Sequence, residues 1–364
     1  MGALSVSSNM VEVSLIFGGM SPEHAASRES FSYLYDQLCT ENCGVCISHV
    51  YYVDSDNYVS FYDFDRSWHS RDYMVSKNAV DYATFAKHVL GANGYIVNLL
   101  HGNYGEDGHI QGLANIVGLR GTFGPVLPSS LAMSKIHMQC YVSGSQSTIK
   151  VPATLTLTDA KSCSAVAEIK NLFDGLKVVV KPNSLGASLF TERYTVSDIE
   201  ISIIEDNLRA IFKYDERALI QEFVEGQEYS IGCIRLDHKV VVLPAIRIDT
   251  KRGFFGHEEK HRIGSADEVL MEEDTVEILH MKRVSRDLFD ELGFSHMCRF
   301  DYILTPSGDV YFLEANPIPG LMRNSILPKM LNGYGLSLAD MILNFVSQDD
   351  MKVMRLSKVD YTID

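Results

Sequence analysis

Cys298-Arg299-Phe300-Asp301-Tyr302 and Tyr311-Phe312-Leu313-Glu314-Ala315-Asn316-Pro317-Ile318-Pro319-Gly320 hold the densest set of chemically useful side chains in this sequence. The two stretches read as strands joined by the turn Thr305-Pro306-Ser307-Gly308-Asp309. Side chains alternate faces along a strand, so Arg299 and Asp301 share one face, and Glu314 and Asn316 share one on the returning strand. One cation, two carboxylates and an amide oxygen can then converge. Such oxygens suit a hard divalent ion, and Mg²⁺ takes few protein ligands plus substrate phosphates. A surface hairpin with solvated charges is the plainer reading. It fits poorly, because these charges sit inside apolar strands, where an unpaired charge is costly.

Four further segments carry weaker signals. Lys181-Pro182-Asn183-Ser184-Leu185-Gly186-Ala187-Ser188 runs from a strand end into a small turn. Such turns can present backbone N–H groups to phosphate oxygens, and a lysine adds a point charge. The same pattern also serves as an ordinary connector. Gln221-Glu222-Phe223-Val224-Glu225-Gly226-Gln227-Glu228 ends another strand. Its backbone edge could pair with adenine and a carboxylate could hold ribose hydroxyls; alone, a hairpin with solvated glutamates is favoured. His101-Gly102-Asn103-Tyr104-Gly105-Glu106-Asp107-Gly108 follows an apolar strand and opens a helix. Ligands of α/β folds bind at the carboxyl ends of strands, although Glu106 and Asp107 could simply complement a helix dipole. Gly18-Gly19-Met20-Ser21-Pro22-Glu23-His24 stands in the equivalent place after the first strand. Glu23 could bind a substrate ammonium or serve only as a first-turn acid.

The elements that must position these groups alternate between strand and helix. Val11 to Phe17 and Tyr95 to Leu100 read as strands, and Glu23 to Leu38 and Gly108 to Leu119 as helices. They predict an α/β first domain ending near Thr122 to Pro128. A single helix is expected from Ala132 to Val142. Strands follow at Val178 to Lys181, Ala218 to Glu222, Glu228 to Leu236 and Lys239 to Ile248. Ser197 and Glu200 are spaced as a capping box opening a helix to about Tyr214. Residues Thr250 to Ser265 read as a mobile loop, Thr275 to Leu292 as a helix, and Ser337 to Val346 as a closing helix.

The chain has 364 residues, 46% hydrophobic and 22% charged, enough for two or three packed units. A formal net charge of −15 disfavours nonspecific nucleic-acid binding. No apolar run reaches membrane-spanning length. Met1 to Asn9 lacks a basic region before an apolar one and is expected to be a short tail rather than a signal peptide. The seven cysteines are scattered; Cys39, Cys43 and Cys46 form a loose cluster with no second half to complete a zinc site. A reducing, cytoplasmic setting fits that pattern.

Taken together and in order, the Gly-Gly-x-Ser-x-Glu-His segment, the His-Gly-x-x-Gly-Glu-Asp-Gly segment and the Arg-x-Asp … Glu-Ala-Asn-x-x-Pro-Gly hairpin resemble the D-alanine–D-alanine ligase family of the ATP-grasp superfamily, from Val11 to about Val346. The resemblance implies an α/β ATP-grasp fold: an N-terminal α/β domain (1–127), a central lobe (128–220) and a C-terminal lobe (221–364), the last two clamping ATP. It implies an ATP-dependent ligase that joins two D-alanines through an acyl phosphate for peptidoglycan precursors, and a cytoplasmic homodimer without nucleic-acid or membrane partners. Two alternatives stand beside it: a related ligase with another second substrate, such as a different amino acid or a D-hydroxy acid, and a non-catalytic nucleotide-binding protein.

Carried over position by position, Lys135 and Lys181 match ATP-phosphate lysines. Glu222, Phe223 and Val224 match the adenine side, and Glu228 the ribose acid. Asp301, Glu314 and Asn316 match ligands of two Mg²⁺ ions, for which Mn²⁺ can substitute. Arg299 and the Gly320 backbone match the groups facing the developing oxyanion. Glu23, with His101 nearby, matches the binder of the first amino acid's ammonium. Ser188 lies in the phosphate turn, and Lys260 on the loop covering the γ-phosphate. Ser325, followed by Ile326, matches the contact to the second substrate. The departures are Ala187, where the family has a serine that ties the mobile loop to the Glu23 position, and His261, where it has a tyrosine. Gln221 replaces a frequent acid, and Pro317, Ile318 and Leu321-Met322-Arg323 alter the segment that lines the second-substrate site. Arg323 is read either as an exposed charge or as a carboxylate binder.

Overall fold

The computed structural model describes residues 10–40, 43–90, 94–159, 162–250 and 266–351. The first unit is a five-stranded sheet of order β3-β2-β1-β4-β5. Its strands are β1 (Val11–Gly18), β2 (Val45–Val53), β3 (Val59–Asp63), β4 (Tyr95–Asn98) and β5 (Arg120–Gly121), with helices α1 (His24–Leu38), α2 (Tyr82–Leu90) and α3 (His109–Val117). β1 lies parallel to both β2 and β4. The chain therefore changes direction between β1 and β4, and ligands of such sheets bind in the crevice beyond the strand ends at that switch. α1 is held there by Phe31, whose ring stacks on Phe17 at 3.7 Å, and by buried Leu34 and Leu38. Each fully buried side chain of this size contributes about 1.5–3 kcal/mol.

Two helices, α4 (Val126–Met133) and α5 (Lys135–Ser145), replace the single helix expected from Ala132 to Val142. The break falls at Ser134, whose backbone is extended. Asn183 holds it: its carbonyl accepts the Lys135 N–H at 3.1 Å and its Oδ1 accepts the Ile136 N–H at 3.1 Å. Lys135 is thereby the first residue of a helix rather than a mid-helix side chain.

The second unit is a four-stranded sheet of order β6-β9-β7-β8, made of β6 (Thr154–Thr158), β7 (Lys177–Pro182), β8 (Glu192–Thr195) and β9 (Arg217–Glu222). Helices α6 (Ser162–Phe173) and α7 (Ile201–Ile211) cover it. The expected capping box forms only in half. Ser197 Oγ accepts the Glu200 N–H at 3.3 Å, but the Glu200 carboxylate accepts the Thr195 N–H at 2.6 Å, and Glu200 itself is the N-cap. The lobe has its own core, including Leu157, Ile169, Val178, Val180, Ile204 and Leu208.

The third unit is a six-stranded sheet, β13-β12-β10-β14-β15 with β11 beside β10. Its strands are β10 (Gln227–Leu236), β11 (Lys239–Val242), β12 (Ile246–Thr250), β13 (Ala266–Leu270), β14 (Met297–Leu304) and β15 (Val310–Asn316). The single strand expected from Lys239 to Ile248 is two, β11 and β12, parted at Leu243-Pro244-Ala245, where proline has no N–H for a ladder. Helices α8 (Val276–Glu291), α9 (Ile326–Tyr334) and α10 (Leu338–Met351) complete the unit. Thr275 caps α8, its Oγ accepting the Ile278 N–H. α4 and α5 pack on this unit through Ala132, Met138 and Val142. A further core joins β1, β2 and α1 of the first unit to Leu321, Leu327, Ile342 and Phe345 of the third. The expected loop from Thr250 to Ser265 begins at the end of β12, and residues 251–265, with Lys260 and His261, lie outside the described residues.

Candidate active site

β14 and β15 pair antiparallel, with Arg299 opposite Asn316 and Asp301 opposite Glu314. The register shifts between Asp301 and Tyr302, so β15 carries one extra residue there. Such a bulge lets the polar residues keep a common face while Tyr302 and Phe312 enter the core. The convergence expected from alternation is therefore observed.

Arg299 and Asp301 form a bidentate pair, Nε to Oδ1 at 2.9 Å and Nη2 to Oδ2 at 2.8 Å. Asp301 Oδ1 also accepts the Ser230 hydroxyl at 2.6 Å, and Oδ2 accepts the Asn316 amide N–H at 3.1 Å. Burial opposes the Arg299 charge, but Asp301, Glu314 and Glu228 outweigh it and drive the guanidinium's pKa further up. Ser230 was not singled out from the sequence. It lies two residues after Glu228 on β10 and opposite Asp301, so strand alternation from Glu228 could have found it.

Two lysines face this cluster. Lys135 Nζ donates to the Leu185 carbonyl at 2.8 Å and lies 3.5 Å from a Glu314 oxygen. Lys181, buried at the end of β7, has its pKa pushed down to about 8. Burial is the chief cause and Lys135 adds to it, against the opposing pull of Glu314 and Glu228. Three cations (Lys135, Lys181, Arg299) thus offset three carboxylates (Glu228, Asp301, Glu314) before any ligand arrives.

The turn after β7 is built on Asn183, whose Nδ2 donates to Ser134 Oγ and Ser184 Oγ, each at 2.9 Å. Ala187 and Ser188 follow with φ of 51° and 53°, in the left-handed region that non-glycine residues seldom adopt. Strain of about 1–3 kcal/mol per residue is characteristic of ligand-binding turns. Glu23, the residue before α1, reaches this turn from the first unit. Its Oε1 accepts the Gly186 N–H at 3.1 Å. A Cβ on Gly186 would stand 2.5 Å from that carboxylate, so glycine is what allows the approach.

His101 lies at the carboxyl end of β4, buried beside Glu106, whose Oε2 is 3.9 Å from its Nδ1. Burial tends to lower its pKa. Glu106 first, then Glu23 and the Ile318 backbone, overcome that and leave it raised. At the end of β9, the Glu222 N–H is bonded to Ala153 O and the Phe223 N–H to Lys177 O, and the Arg193 guanidinium lies 5.0 Å from the Phe223 ring centre. Val224 is buried. Ser325 caps α9 and its Oγ accepts the Met322 N–H at 3.2 Å, close to Gly320. Ile326 points into the core. Arg323 is exposed, its guanidinium 5.9 Å from the Tyr33 ring. Cys39, Cys43 and Cys46 are free thiols. Among the described residues no three His, Cys, Asp or Glu side chains are grouped to hold a metal. The oxygen-only trio of Asp301, Glu314 and Asn316 fits a hard ion with few protein ligands, provided Arg299 yields an Asp301 oxygen and the Asn316 amide turns its oxygen inward.

Family models for the D-Ala D-Ala ligase N-terminus and C-terminus match residues 12–122 and 145–347. The chain belongs to the D-Ala–D-Ala ligase family. It is 31% identical to the D-alanine–D-alanine ligase of Geotalea uraniireducens over 70% of this chain and 78% of that protein. It is 33% identical to that of Trichlorobacter lovleyi over 67% of this chain and 74% of that protein. The fold is similar to the VanG D-Ala:D-Ser ligase of Enterococcus faecalis, with a TM-score of 0.75 at 24% identity, covering 93% of this chain and 98% of that one. It is also similar to the D-alanine–D-alanine ligase of Coxiella burnetii, with a TM-score of 0.71 at 19% identity over 95% and 98% of the two chains. The architecture is the mixed α/β ATP-grasp fold of this family.

Proposed function

We propose that the protein is an ATP-dependent carboxylate–amine ligase that joins two D-alanines, giving D-alanyl-D-alanine, ADP and phosphate. The observation that carries this reading is the joint placement of two sites: the charge-balanced cluster of Arg299, Lys135 and Lys181 with Glu228, Asp301, Glu314 and Asn316, and Glu23 seated against the turn after β7. A carboxylate oxygen of the first D-alanine takes the γ-phosphoryl group, breaking its bond to ADP. The amine of the second attacks the acyl carbon, and phosphate leaves with the electron pair of the broken C–O bond. Catalysis of this kind is positioning and charge neutralisation.

In this reading Lys135 and Lys181 hold ATP phosphates, Glu222 to Val224 and Glu228 hold the nucleoside, and Ser188 lies by the transferred group. Asp301, Glu314 and Asn316 would hold Mg²⁺, which supplies charge neutralisation at the phosphates. An ATP with two such ions is close to neutral, so it preserves the balance of the site. Glu23 and His101 orient the first amino acid. Arg299 and the Gly320 N–H face the oxyanion of the second step, and Ser325 takes the second carboxylate. Lys260, outside the described residues, is assigned to the γ-phosphate by the family resemblance alone. We take the units to be the three sheets with their helices, α4 and α5 going with the third, since the expected boundaries at 127/128 and 220/221 would cut α4 and β9, and take the enzyme to be a cytoplasmic homodimer, as sedimentation would report. No helix among the described residues is long and apolar enough to cross a membrane. Incubation with ATP, Mg²⁺ and D-alanine should release phosphate and form the dipeptide; neither product appearing would overturn the reading. A panel of other acceptors in the same assay identifies any preference at the second site.

A further inference from the structure

The hydroxyl of Ser30 joins three segments distant in sequence. It lies on the second turn of α1 and is fully buried. The Leu321 N–H donates to its Oγ at 3.2 Å, and its Oγ lies 3.1 Å from His101 Nε2. The opposite edge of the imidazole faces Glu106, and the Ile318 backbone also bonds the ring. The Ser30–His101 bond can run in either direction with the ring's protonation, and in both cases Ser30 Oγ is free to accept the Leu321 N–H.

The Leu321 N–H and the Gly320 carbonyl belong to one planar peptide. Fixing that N–H fixes the plane, and so limits the torsion of Gly320 on the side away from its own N–H. Glycine has the widest backbone freedom and loses most on being ordered. Close by in sequence, Ser325 Oγ holds the Met322 N–H, one residue beyond segment 317–321. Two ties reach that segment from the first unit, His101 at the Ile318 backbone and Ser30 at the Leu321 N–H, and of these only Ser30 bonds the peptide next to the Gly320 N–H.

We propose that Ser30 is a positioning residue, holding the Gly320–Leu321 peptide so that the Gly320 N–H is aimed into the site. This rests on the ligase reading for its kinetic consequence but not for its structural one. Ser30→Ala removes the tie, and Ser30→Thr retains the hydroxyl as the conservative control. Hydrogen exchange by mass spectrometry on peptides covering 317–325 should show faster exchange at the Leu321 amide in Ser30→Ala, by about 10-fold for one lost buried hydrogen bond, and near-normal exchange in Ser30→Thr. In steady-state phosphate release, Ser30→Ala should lower kcat about 10-fold or more, with KM for ATP unchanged. Exchange in 317–325 that matches wild type overturns the proposal whatever the activity. A kcat loss accompanied by an equal rise in KM for ATP also overturns it, since that marks general destabilisation. Absence of dipeptide synthesis by the wild-type protein would instead strike the ligase reading, and the exchange result would still decide the role of Ser30.

Discussion

Arg299 carries a charge that the fold holds in place from several sides. A bidentate carboxylate partner and two further acids surround it. Lysine can keep the charge but not the fork, so Arg299→Lys tests geometry rather than charge. We expect kcat to fall about 100-fold or more, the loss typical of one oxyanion donor, with ATP binding measured by calorimetry little changed. His101 gives a pH signature. Its pKa in the folded protein lies above the ordinary 6.5, because Glu106 and Glu23 outweigh burial. The folded state therefore keeps a proton that the unfolded chain gives up. The stabilisation is complete below 6.5 and is lost as pH rises through the folded-state pKa. Urea unfolding of wild type and His101→Gln should differ most on the acid side of that window and converge on the alkaline side.

Elements meet at the site through backbone groups as much as through side chains. The break between α4 and α5 presents Lys135 at a helix start, and Asn183 at the end of β7 makes the break by bonding Ile136 N–H and Ser134 Oγ. Asn183→Ala should cost about 1–2 kcal/mol in thermal or urea unfolding, as for a lost helix cap. It should also raise KM for ATP about 10-fold through the displaced Lys135 while leaving KM for D-alanine close to normal. The bulge in β15 has the opposite character. Its extra residue, Leu313, gives only a carbonyl that accepts the Gln139 amide N–H at 2.9 Å, but without it Glu314 and Phe312 could not serve the site and the core together.

The middle unit keeps its own apolar core, while the first and third share one. Polar links reach from the middle unit to the others: Glu23 to Gly186, Lys135 to Leu185, and Gln139 to Gln221. Polar, modest interfaces of this kind permit relative motion of units. ATP with Mg²⁺ would bridge the middle and third units and should raise the melting temperature of the whole molecule. Chelation with excess EDTA should abolish both that shift and phosphate release, and either Mg²⁺ or Mn²⁺ should restore them. A melting shift from ATP that EDTA leaves intact would remove Asp301, Glu314 and Asn316 from the metal-binding role.

Local pattern was enough for the β14–β15 hairpin, because period-two alternation with charges inside apolar strands has few other folded solutions. The ordered motifs around Glu23, His101 and Glu314 were enough for the family. The partners of those residues were not legible. Ser230 meets Asp301 only through sheet register, Glu23 meets Gly186 across 163 residues, and Leu321 meets Ser30 across 291. Ser134 and Pro244 broke elements that periodicity ran straight through, since apolar spacing persists across a break that a single hydrogen bond or a missing N–H creates. Residue type and order thus sufficed for which chemistry the chain is built for. Which groups hold one another in place was decided by packing, because long-range hydrogen bonds leave no mark on the local sequence.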